Sequence, residues 1–258
     1  MKHDQPATPA QWLDEIRLAI ADARKFGDVQ IVWDGTDESF ATLPAAAEVA
    51  AREDAVYLHL TSNETIGGVQ WQEWPEVDMP IVCDMSSDFL SRKLPLEKFG
   101  IIYAGAQKNI GPAGVCMVII RKDMLEMADD TLPSMLKYKT YAAKKSLYNT
   151  PPCFGIYTIQ LVLKWLEETI GGLDKMAELN QRKAGMLYDT MDRSGFYRPT
   201  AQKESRSQMN VTFRLPSEAL EKTFVAEALA NGMGGLKGHR SVGGCRASIY
   251  NPTPLAAV

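Results

Sequence analysis

Short and almost wholly apolar runs recur along the first half of the chain, and they constrain the fold more than any other feature of the sequence. They are rich in β-branched residues, as strands buried on both faces of a sheet are. Helical stretches separate some of them, for example residues 43–52, and this alternation predicts an α/β fold with a largely parallel sheet. The runs are VQIVW (29–33), AVYLHL (55–60), IVCD (81–84), GIIYAG (100–105) and VCMVII (115–120).

Apolar residues at helical spacing predict the remaining elements. Trp12, Ile16 and Ile20 predict an amphipathic helix over residues 9–25. We expect a larger domain over residues 1–170 and a smaller α+β domain over residues 171–258, with a boundary near Gly171. The elements predicted around and after that boundary are a helix over 154–169 that Gly171 and Gly172 end, a helix over 173–193, a strand over 209–215, a helix over 217–230 and a strand over 245–250.

Charge and composition exclude several classes of function. The formal net charge is -4 and the isoelectric point is about 5.5, which argues against nucleic acid or an anionic membrane as the main partner. No apolar run is long enough to span a bilayer, and the N-terminus has no signal-peptide pattern, so we expect a cytoplasmic protein. The cysteines and histidines show no metal-ligand spacing, so we expect no metal site and four buried, reduced cysteines: Cys83, Cys116, Cys153 and Cys245.

A lysine and an aspartate next to two of the predicted strands are the main candidates for chemistry. Lys108 follows the run that ends at Gly105, in a loop of small residues where a lysine can lose hydration and act as an amine nucleophile. Asp84 ends the run IVCD, and ligands of parallel α/β sheets bind beyond the carboxyl ends of the strands. An acid and a lysine placed in this way are what pyridoxal phosphate (PLP) requires. A helix-capping aspartate and a solvated lysine are the alternatives, and the loop matches neither a P-loop nor a Rossmann motif.

Four segments together resemble the phosphoserine aminotransferases, in order and in spacing: SNETIGGV (62–69), YAGAQKNIGPAG (103–114), YNTPP (148–152) and KGHRSVGGCRASIYN (237–251). The resemblance implies a homodimer of PLP-dependent subunits of fold type I. It also implies amino transfer between L-glutamate and 3-phosphohydroxypyruvate, giving O-phospho-L-serine and 2-oxoglutarate. This reaction belongs to L-serine biosynthesis, and the family also acts in pyridoxine biosynthesis.

The resemblance also implies a role for each matching residue. Lys108 corresponds to the Schiff-base lysine and Asp84 to the partner of the pyridine nitrogen. The other cofactor contacts are Thr65 near the ring oxygen, Gln107 at the cofactor phosphate, and Asn149 and Thr150 at the cofactor phosphate of the other subunit. For the substrate, Arg246 resembles the α-carboxylate clamp, whereas His239 and Arg240 resemble the residues that hold the phosphate.

The chain departs from the family in extent. The N-terminal portion, which holds the Gly-rich phosphate loop and the aromatic residue stacking on the cofactor ring, is expected to be absent, as is the last helix of the small domain. Two alternative functions therefore stay open: a truncated, non-catalytic homologue, and another class-V PLP enzyme of the alanine–glyoxylate aminotransferase or cysteine desulfurase type. His59 is interpreted as a structural histidine on a strand beside the site.

Overall fold

The computed structural model describes residues 14–127 and 129–258, and for residues 14–18 only the backbone. These residues form two compact units. The four-stranded unit comprises residues 55–62 and 78–177, and the three-stranded unit comprises the described residues up to Asp54, together with residues 63–77 and 178–258. The predicted domain boundary near Gly171 stays a prediction, since contacts within one chain do not show which parts fold independently.

The four-stranded unit contains a mixed sheet in the order β1-β2-β3-β4. The first three strands are parallel, and β4 runs antiparallel to β3. The prediction of a largely parallel sheet is therefore confirmed. The strands are β1 (Leu58–Thr61), β2 (Ile81–Asp84), β3 (Phe99–Gly105) and β4 (Cys116–Ile120).

Only one face of this sheet is buried, although the sequence predicted strands buried on both faces. Burial alternates along β1, β2 and β3 because successive side chains point to opposite faces. The buried face is apolar, whereas the opposite face mixes polar side chains with Val82 and Ile101 and stays half-buried or exposed. The buried side chains are Leu58, Leu60, Ile81, Cys83, Phe99, Ile102 and Ala104.

Two predicted elements are absent, and both lie before β1. The run VQIVW forms no strand in the described structure, and Ile31 is 49% exposed because no neighbouring strand pairs with this run. The helix predicted over residues 43–52 is reduced to a single 3-10 turn, Ala46–Glu48. The backbone N–H of Ala45, just before the turn, donates to the Glu48 carboxylate at 3.2 Å. Pro44 favours extended backbone for the residue before it and so opposes an earlier helix start.

The first predicted helix is present as α1 (Asp14–Ala23). Trp12 and the rest of the predicted segment before Asp14 lie outside the described residues. The prediction of four buried cysteines is wrong for Cys116 and Cys153, which are exposed because one begins an edge strand and the other begins a surface helix. All four cysteines are free thiols.

The helices of the four-stranded unit follow β4. The longest is α4, which ends at Lys164 and continues as one wider π-helical stretch, Trp165–Ile170. Gly171, with φ 90°, ends this stretch in the left-handed conformation, as predicted. Ile159 of α4 is buried against Gly111, where a Cβ would lie 2.8 Å from the Ile159 Cγ1 atom. The helices are α2 (Lys122–Glu126), α3 (Tyr138–Ala143) and α4 (Cys153–Lys164).

The three-stranded unit contains an antiparallel sheet in the order β5-β6-β7. Its core joins β6 and β7 to the second half of α5, through Val211, Phe213, Ala247, Tyr188 and Met191. The predicted helices and strands of this region are confirmed to within a few residues. They are α5 (Leu173–Ser194), β5 (Arg198–Pro199), β6 (Asn210–Arg214), α6 (Glu218–Ala230) and β7 (Cys245–Ser248).

A buried lysine holds the end of β7. Lys183 of α5 has no exposed surface, and its Nζ donates hydrogen bonds to the carbonyl oxygens of Ile249 (3.0 Å) and Tyr250 (2.8 Å). Burial lowers the pKa of Lys183 to about 8. These bonds satisfy two carbonyls just beyond the strand that carries Arg246, so they fix the direction in which the chain leaves β7.

Candidate active site

Asp84 lies at the carboxyl end of the second strand of the four-stranded unit, with β1 and β3 on either side. Its register partners are Thr61 and Tyr103. The carboxylate is half-buried, and its Oδ1 accepts a hydrogen bond from the backbone N–H of Ser86 at 2.8 Å. None of the ion pairs found among residues 14–127 and 129–258 includes Asp84. The carboxylate is therefore oriented by the backbone and still able to bind a cationic ligand.

The Lys108 loop connects β3 to β4 and is a closed turn. The amide of Ala106 donates to the Val115 carbonyl at 3.0 Å, and the amides of Ile110 and Gly111 donate back to Ala106. Lys108 is half-buried, and Ala106 and Ile110 are buried around it. The loop therefore holds the lysine by backbone bonds on both sides.

Ser86 joins this loop to Asp84. Its backbone N–H donates to the Asp84 carboxylate, and its Oγ accepts the backbone N–H of Gly105 at 3.0 Å. A second tie is made by buried Asn109, whose Nδ2 donates to the carbonyl of Phe89 at 2.7 Å. The segment after β2 and the segment after β3 are thus bonded to each other next to both candidate residues.

Two glycines of the loop are required for different packing reasons. At Gly111 the space of a side chain is taken by Ile159, so packing against α4 requires the glycine there. At Gly105 a Cβ would lie 2.9 Å from the Oε1 of Gln107, whose side chain is exposed. At both positions the glycine therefore makes room for a neighbouring side chain of the protein.

A histidine and a tyrosine lie on the same face of the sheet as Asp84. His59 Nε2 and the Tyr103 hydroxyl are 2.9 Å apart, and the two rings are stacked with centroids at 6.1 Å. Burial raises the pKa of the Tyr103 phenol far above its usual range, and the Asp84 charge adds to this. Burial lowers the pKa of His59, while Asp84 opposes that change. The sequence suggested only a structural role for His59. The period-2 alternation could have placed His59 on the same face as Asp84 only if the strand register had been known.

Asn149 and Thr150 are exposed and immediately precede the two prolines before α4. Asn149 Nδ2 makes one long bond, 3.4 Å, to the carbonyl of Thr150. Just before them, Lys145 and Ser146 both adopt positive φ, 51° and 64°. The turn presents both side chains away from the core of this unit.

The other predicted site residues belong to the three-stranded unit. Arg246 of β7 donates from Nη1 to the carbonyl of Thr65 at 3.1 Å, which ties the segment after residue 63 to the strand. The same segment is tied to β6, because Thr212 Oγ1 donates to the Gly67 carbonyl at 2.9 Å and Asn63 Nδ2 donates to Asn210 Oδ1 at 2.8 Å. The tertiary structure thus places Thr65 beside Arg246, although 181 residues separate them in sequence.

The loop before β7 carries His239 and Arg240. The carbonyl of His239 accepts the amides of Val242 (3.0 Å) and Gly243 (2.9 Å), and its Nδ1 lies 2.7 Å from the Ser241 hydroxyl. His239 and Arg246 line a cavity of about 30 Å³, enough for one or two water molecules. Arg240 is exposed on the same loop. This loop and β7 thus carry an imidazole and two guanidinium groups, which are side-chain types that bind anions.

Comparison with protein families identifies the group to which these features belong. The family model described as Aminotransferase class-V matches residues 15–258. This chain belongs to the class-V aminotransferases. Among the described residues, no three histidine, cysteine or acidic side chains are grouped as metal ligands, and no helix has the length and apolarity needed to cross a membrane.

Proteins named phosphoserine aminotransferase are similar to the chain throughout the matched region. The one from Desulfosudis oleivorans is 62% identical over 231 residues, which covers 89% of this chain and 63% of the relative. The solved structure of the one from Bacillus circulans subsp. alkalophilus has a TM-score of 0.91 and 49% identity, covering 95% of this chain and 68% of that chain. The PLP-bound one from Trichomonas vaginalis has a TM-score of 0.81 and 37% identity, covering 93% and 69%.

These matches confirm the predicted resemblance and the α/β fold of the PLP-dependent aminotransferases. They also show a difference in extent. The chain spans 63% of the length of the Desulfosudis relative and 65% of the length of a second one, from Desulfatibacillum aliphaticivorans.

Proposed function

We propose that this chain carries most of the cofactor- and substrate-binding residues of a phosphoserine transaminase. The reaction is PLP-dependent amino transfer between L-glutamate and 3-phosphohydroxypyruvate, giving O-phospho-L-serine and 2-oxoglutarate. The observation that carries the proposal is the Asp84 carboxylate, which forms no ion pair among the described residues and is bonded through Ser86 to the segment that leads into the Lys108 loop. We further propose that the protein acts in the cytoplasm, in L-serine biosynthesis, and that it also takes the related substrate of pyridoxine biosynthesis.

The residues of the four-stranded unit fit PLP chemically. Bound PLP supplies an electron sink for the electrons released when a bond at the substrate α-carbon breaks. Asp84 would hold a proton on the ring nitrogen, because a fixed carboxylate stabilises a neighbouring cation. Lys108 Nζ would bind the cofactor aldehyde and, as a free amine, move a proton at the α-carbon. Gln107 would contact the cofactor phosphate. Thr65, which belongs to the three-stranded unit, is proposed to contact the ring oxygen.

The residues proposed to bind the substrate belong to the three-stranded unit. Arg246 would bind the α-carboxylate with its planar guanidinium, and its bond to the Thr65 carbonyl fixes the side chain in place. His239 and Arg240 would bind the substrate phosphate, the group that distinguishes 3-phosphohydroxypyruvate from a simple keto acid. A phosphate-binding loop would disfavour glyoxylate or alanine, since neither compound has a phosphate group to bind to His239 and Arg240.

We propose a homodimer in which Asn149 and Thr150 reach the cofactor phosphate of the partner subunit. Both side chains are exposed, and α4 directly after them exposes an apolar stripe at helical spacing. Phe154 is 78% exposed, Tyr157 56% and Leu161 47%. An uncovered stripe of this kind is usual at an interface between subunits. Sedimentation of the chain, compared with Phe154→Glu, would test the dimer: a monomeric parent chain contradicts it.

The decisive experiment labels the lysine. The 258-residue chain is incubated with PLP, reduced with borohydride, digested, and searched for the pyridoxyl group by mass spectrometry. We expect the label on Lys108 and none in Lys108→Ala, whereas Lys122→Ala, which removes an exposed lysine of the same unit, keeps it. A label on another lysine, or none, contradicts the assignment.

A second candidate is a homologue that binds PLP poorly and does not catalyse the reaction; the chain spans 63% of the length of the Desulfosudis relative. The expectation drawn from the sequence is that the ring-stacking aromatic residue and the main phosphate loop are not supplied by this chain. A version extended upstream in the same reading frame would then be active with glutamate and 3-phosphohydroxypyruvate, and the 258-residue chain would have little activity. Equal specific activity in the two would contradict the second candidate.

A further inference from the structure

The loop of residues 238–244 is closed by its own backbone. Just inside its base, the amide of Gly238 donates to the Gly244 carbonyl at 2.9 Å. Further out, the carbonyl of His239 accepts two amides of the loop, one of them from Val242 at 3.0 Å. These bonds shape the loop, but they do not hold it against β6, the central strand of the sheet in the same unit.

Arg214, the last residue of β6, ties this loop to the sheet. Its Nη1 donates to the Val242 carbonyl at 2.9 Å. The stem of the side chain runs along the loop at Gly244, where φ is 69° and an added Cβ would lie 2.8 Å from the Arg214 Cδ. The glycine therefore gives the arginine the space that it needs to reach the loop.

Glu221 of α6 orients the guanidinium from the other side. Its Oε1 accepts the Nε of Arg214 at 2.7 Å and the backbone N–H of Leu215 at 3.3 Å. Glu221 is buried, and a buried carboxylate needs a charged or hydrogen-bonding partner, so the pair belongs to the folded state. Because Nε is bonded to Glu221 and Nη1 to the loop, this arginine is suited to hold backbone.

The hydrogen bonds run in series from α6 to the residue that precedes Arg240. Glu221 holds Arg214, which holds the Val242 carbonyl. The Val242 amide is in turn bonded to the carbonyl of His239. A loop that is already held in its binding conformation spares a ligand the free-energy cost of ordering it. Removal of the tie would therefore lower the affinity for whatever the side chains of this loop bind.

We infer that Arg214, oriented by Glu221, is a positioning residue for the phosphate-binding loop. It presents His239 and Arg240 to the phosphate of the substrate. The identity of the ligand rests on the proposed function, whereas the hold on the loop is a property of the ligand-free chain. A direct role of Arg214 as a phosphate ligand is the competing explanation, and it predicts the opposite effect when Glu221 is removed.

Amide hydrogen exchange, followed by NMR in the ligand-free chain, measures the hold on the loop. The double variant Arg214→Met/Glu221→Leu removes the tie without leaving a buried charge unpaired, so the unit should still fold. We expect the Val242 and Gly243 amides to exchange roughly tenfold faster in this variant, as the loss of one hydrogen bond to a charged group implies. Arg198→Met, which removes an exposed arginine opposite Arg214 on β5, is the control and should leave both rates unchanged.

Exchange rates of Val242 and Gly243 that equal the parent's in the double variant overturn the inference. If circular dichroism shows that the double variant does not fold, Arg214→Lys takes its place, since it keeps a cation beside Glu221. The same increase is expected there, because an ammonium group lacks the planar fork that reaches both partners. Rates equal to the parent's would again overturn the inference.

Ligand binding tests whether the held loop serves the phosphate. The affinities of the chain for O-phospho-L-serine and for L-serine, which lacks the phosphate, are measured from amide shifts in NMR titrations. We expect Glu221→Leu, which releases Arg214, to lower the preference for O-phospho-L-serine roughly fivefold, because the loop must then be ordered on binding. If Arg214 bound the phosphate directly, its release would strengthen that preference. A preference that is unchanged or stronger in Glu221→Leu overturns the inference.

Failure of the proposed function has a different signature. In that case the parent chain shows no preference for O-phospho-L-serine and borohydride places no pyridoxyl group on Lys108, while the loop amides still exchange faster in the double variant. In the reverse result, the parent prefers O-phospho-L-serine but exchange in the double variant is unchanged. The proposed function then stands, and the positioning role of Arg214 is overturned.

Discussion

Replacing the buried lysine of α5 tests how the structure holds the strand that carries Arg246. Lys183 is fully buried, and its two carbonyl partners are neutral. Its pKa is about 8 in the folded chain, against about 10.5 for an exposed lysine. Each pH unit between the two values corresponds to about 1.4 kcal/mol, so the buried charge costs at most about 3.4 kcal/mol at neutral pH. The carbonyls stabilise the ammonium, which makes this an upper limit.

The sign of the pH dependence follows from proton binding. Between pH 8 and 10.5 the unfolded chain keeps the lysine proton and the folded chain loses it, so the free energy of unfolding rises with pH. For these two pKa values the rise between pH 7 and pH 9.5 is about 2 kcal/mol. Lys183→Met removes this contribution. At pH 7 the variant also leaves two carbonyls without a donor, which offsets the charge it removes, so the absolute stability at one pH decides nothing.

The measurement therefore compares how the free energy of unfolding changes with pH in the parent chain and in Lys183→Met. Urea unfolding of the parent chain and of Lys183→Met is followed by circular dichroism at pH 7, 8, 9 and 9.5, so that titrations common to both chains cancel. We expect the parent to gain up to about 2 kcal/mol over the variant across this range. Lys222→Met, at an exposed position of α6 in the same unit, should show no such gain. A gap between the parent and Lys183→Met that does not change with pH would refute the reasoning.

The other predictions concern the candidate site and its support. Asp84→Asn should slow the half-reaction with glutamate by orders of magnitude while PLP still labels Lys108, and a rate close to the parent's would remove Asp84 from its role. Arg240→Ala should raise KM for 3-phosphohydroxypyruvate roughly fivefold to thirtyfold, as the loss of one exposed charged contact does, and leave KM for glutamate nearly unchanged; equal effects on both would place Arg240 elsewhere. Gly68→Ala should destabilise the chain by at least roughly 2 kcal/mol, because φ is 75° and the new Cβ would lie 2.2 Å from Thr212 Oγ1. Gly195→Ala, where φ is 64° and no atom lies within 4 Å, is the matched control and should cost less in thermal melts.

The two units also show where local sequence patterns are reliable. The π-helical end of α4 and the left-handed Gly171 lie where the double glycine placed a stop, and Ser217 caps α6 by accepting the Leu220 amide at 3.3 Å. Both signals act within a few residues. VQIVW has the composition of a strand as well, but a strand needs a partner to bond with, and composition cannot supply one.

For this protein the sequence by itself determined the family and the candidates. Four segments identified the aminotransferases, and Asp84 and Lys108 were chosen as residues at the ends of two apolar runs. Those inferences succeed because strand periodicity, helix stops and motif spacing are local properties of the chain.

The tertiary structure decided which residues meet. The parallel register of β1, β2 and β3 places His59 and Tyr103 on either side of Asp84, and a one-residue shift of β1 would turn His59 to the buried face. Likewise, the bond from Arg246 to the Thr65 carbonyl joins segments 181 residues apart. No local pattern encodes such pairs, because they depend on how distant segments pack against one another once the chain has folded.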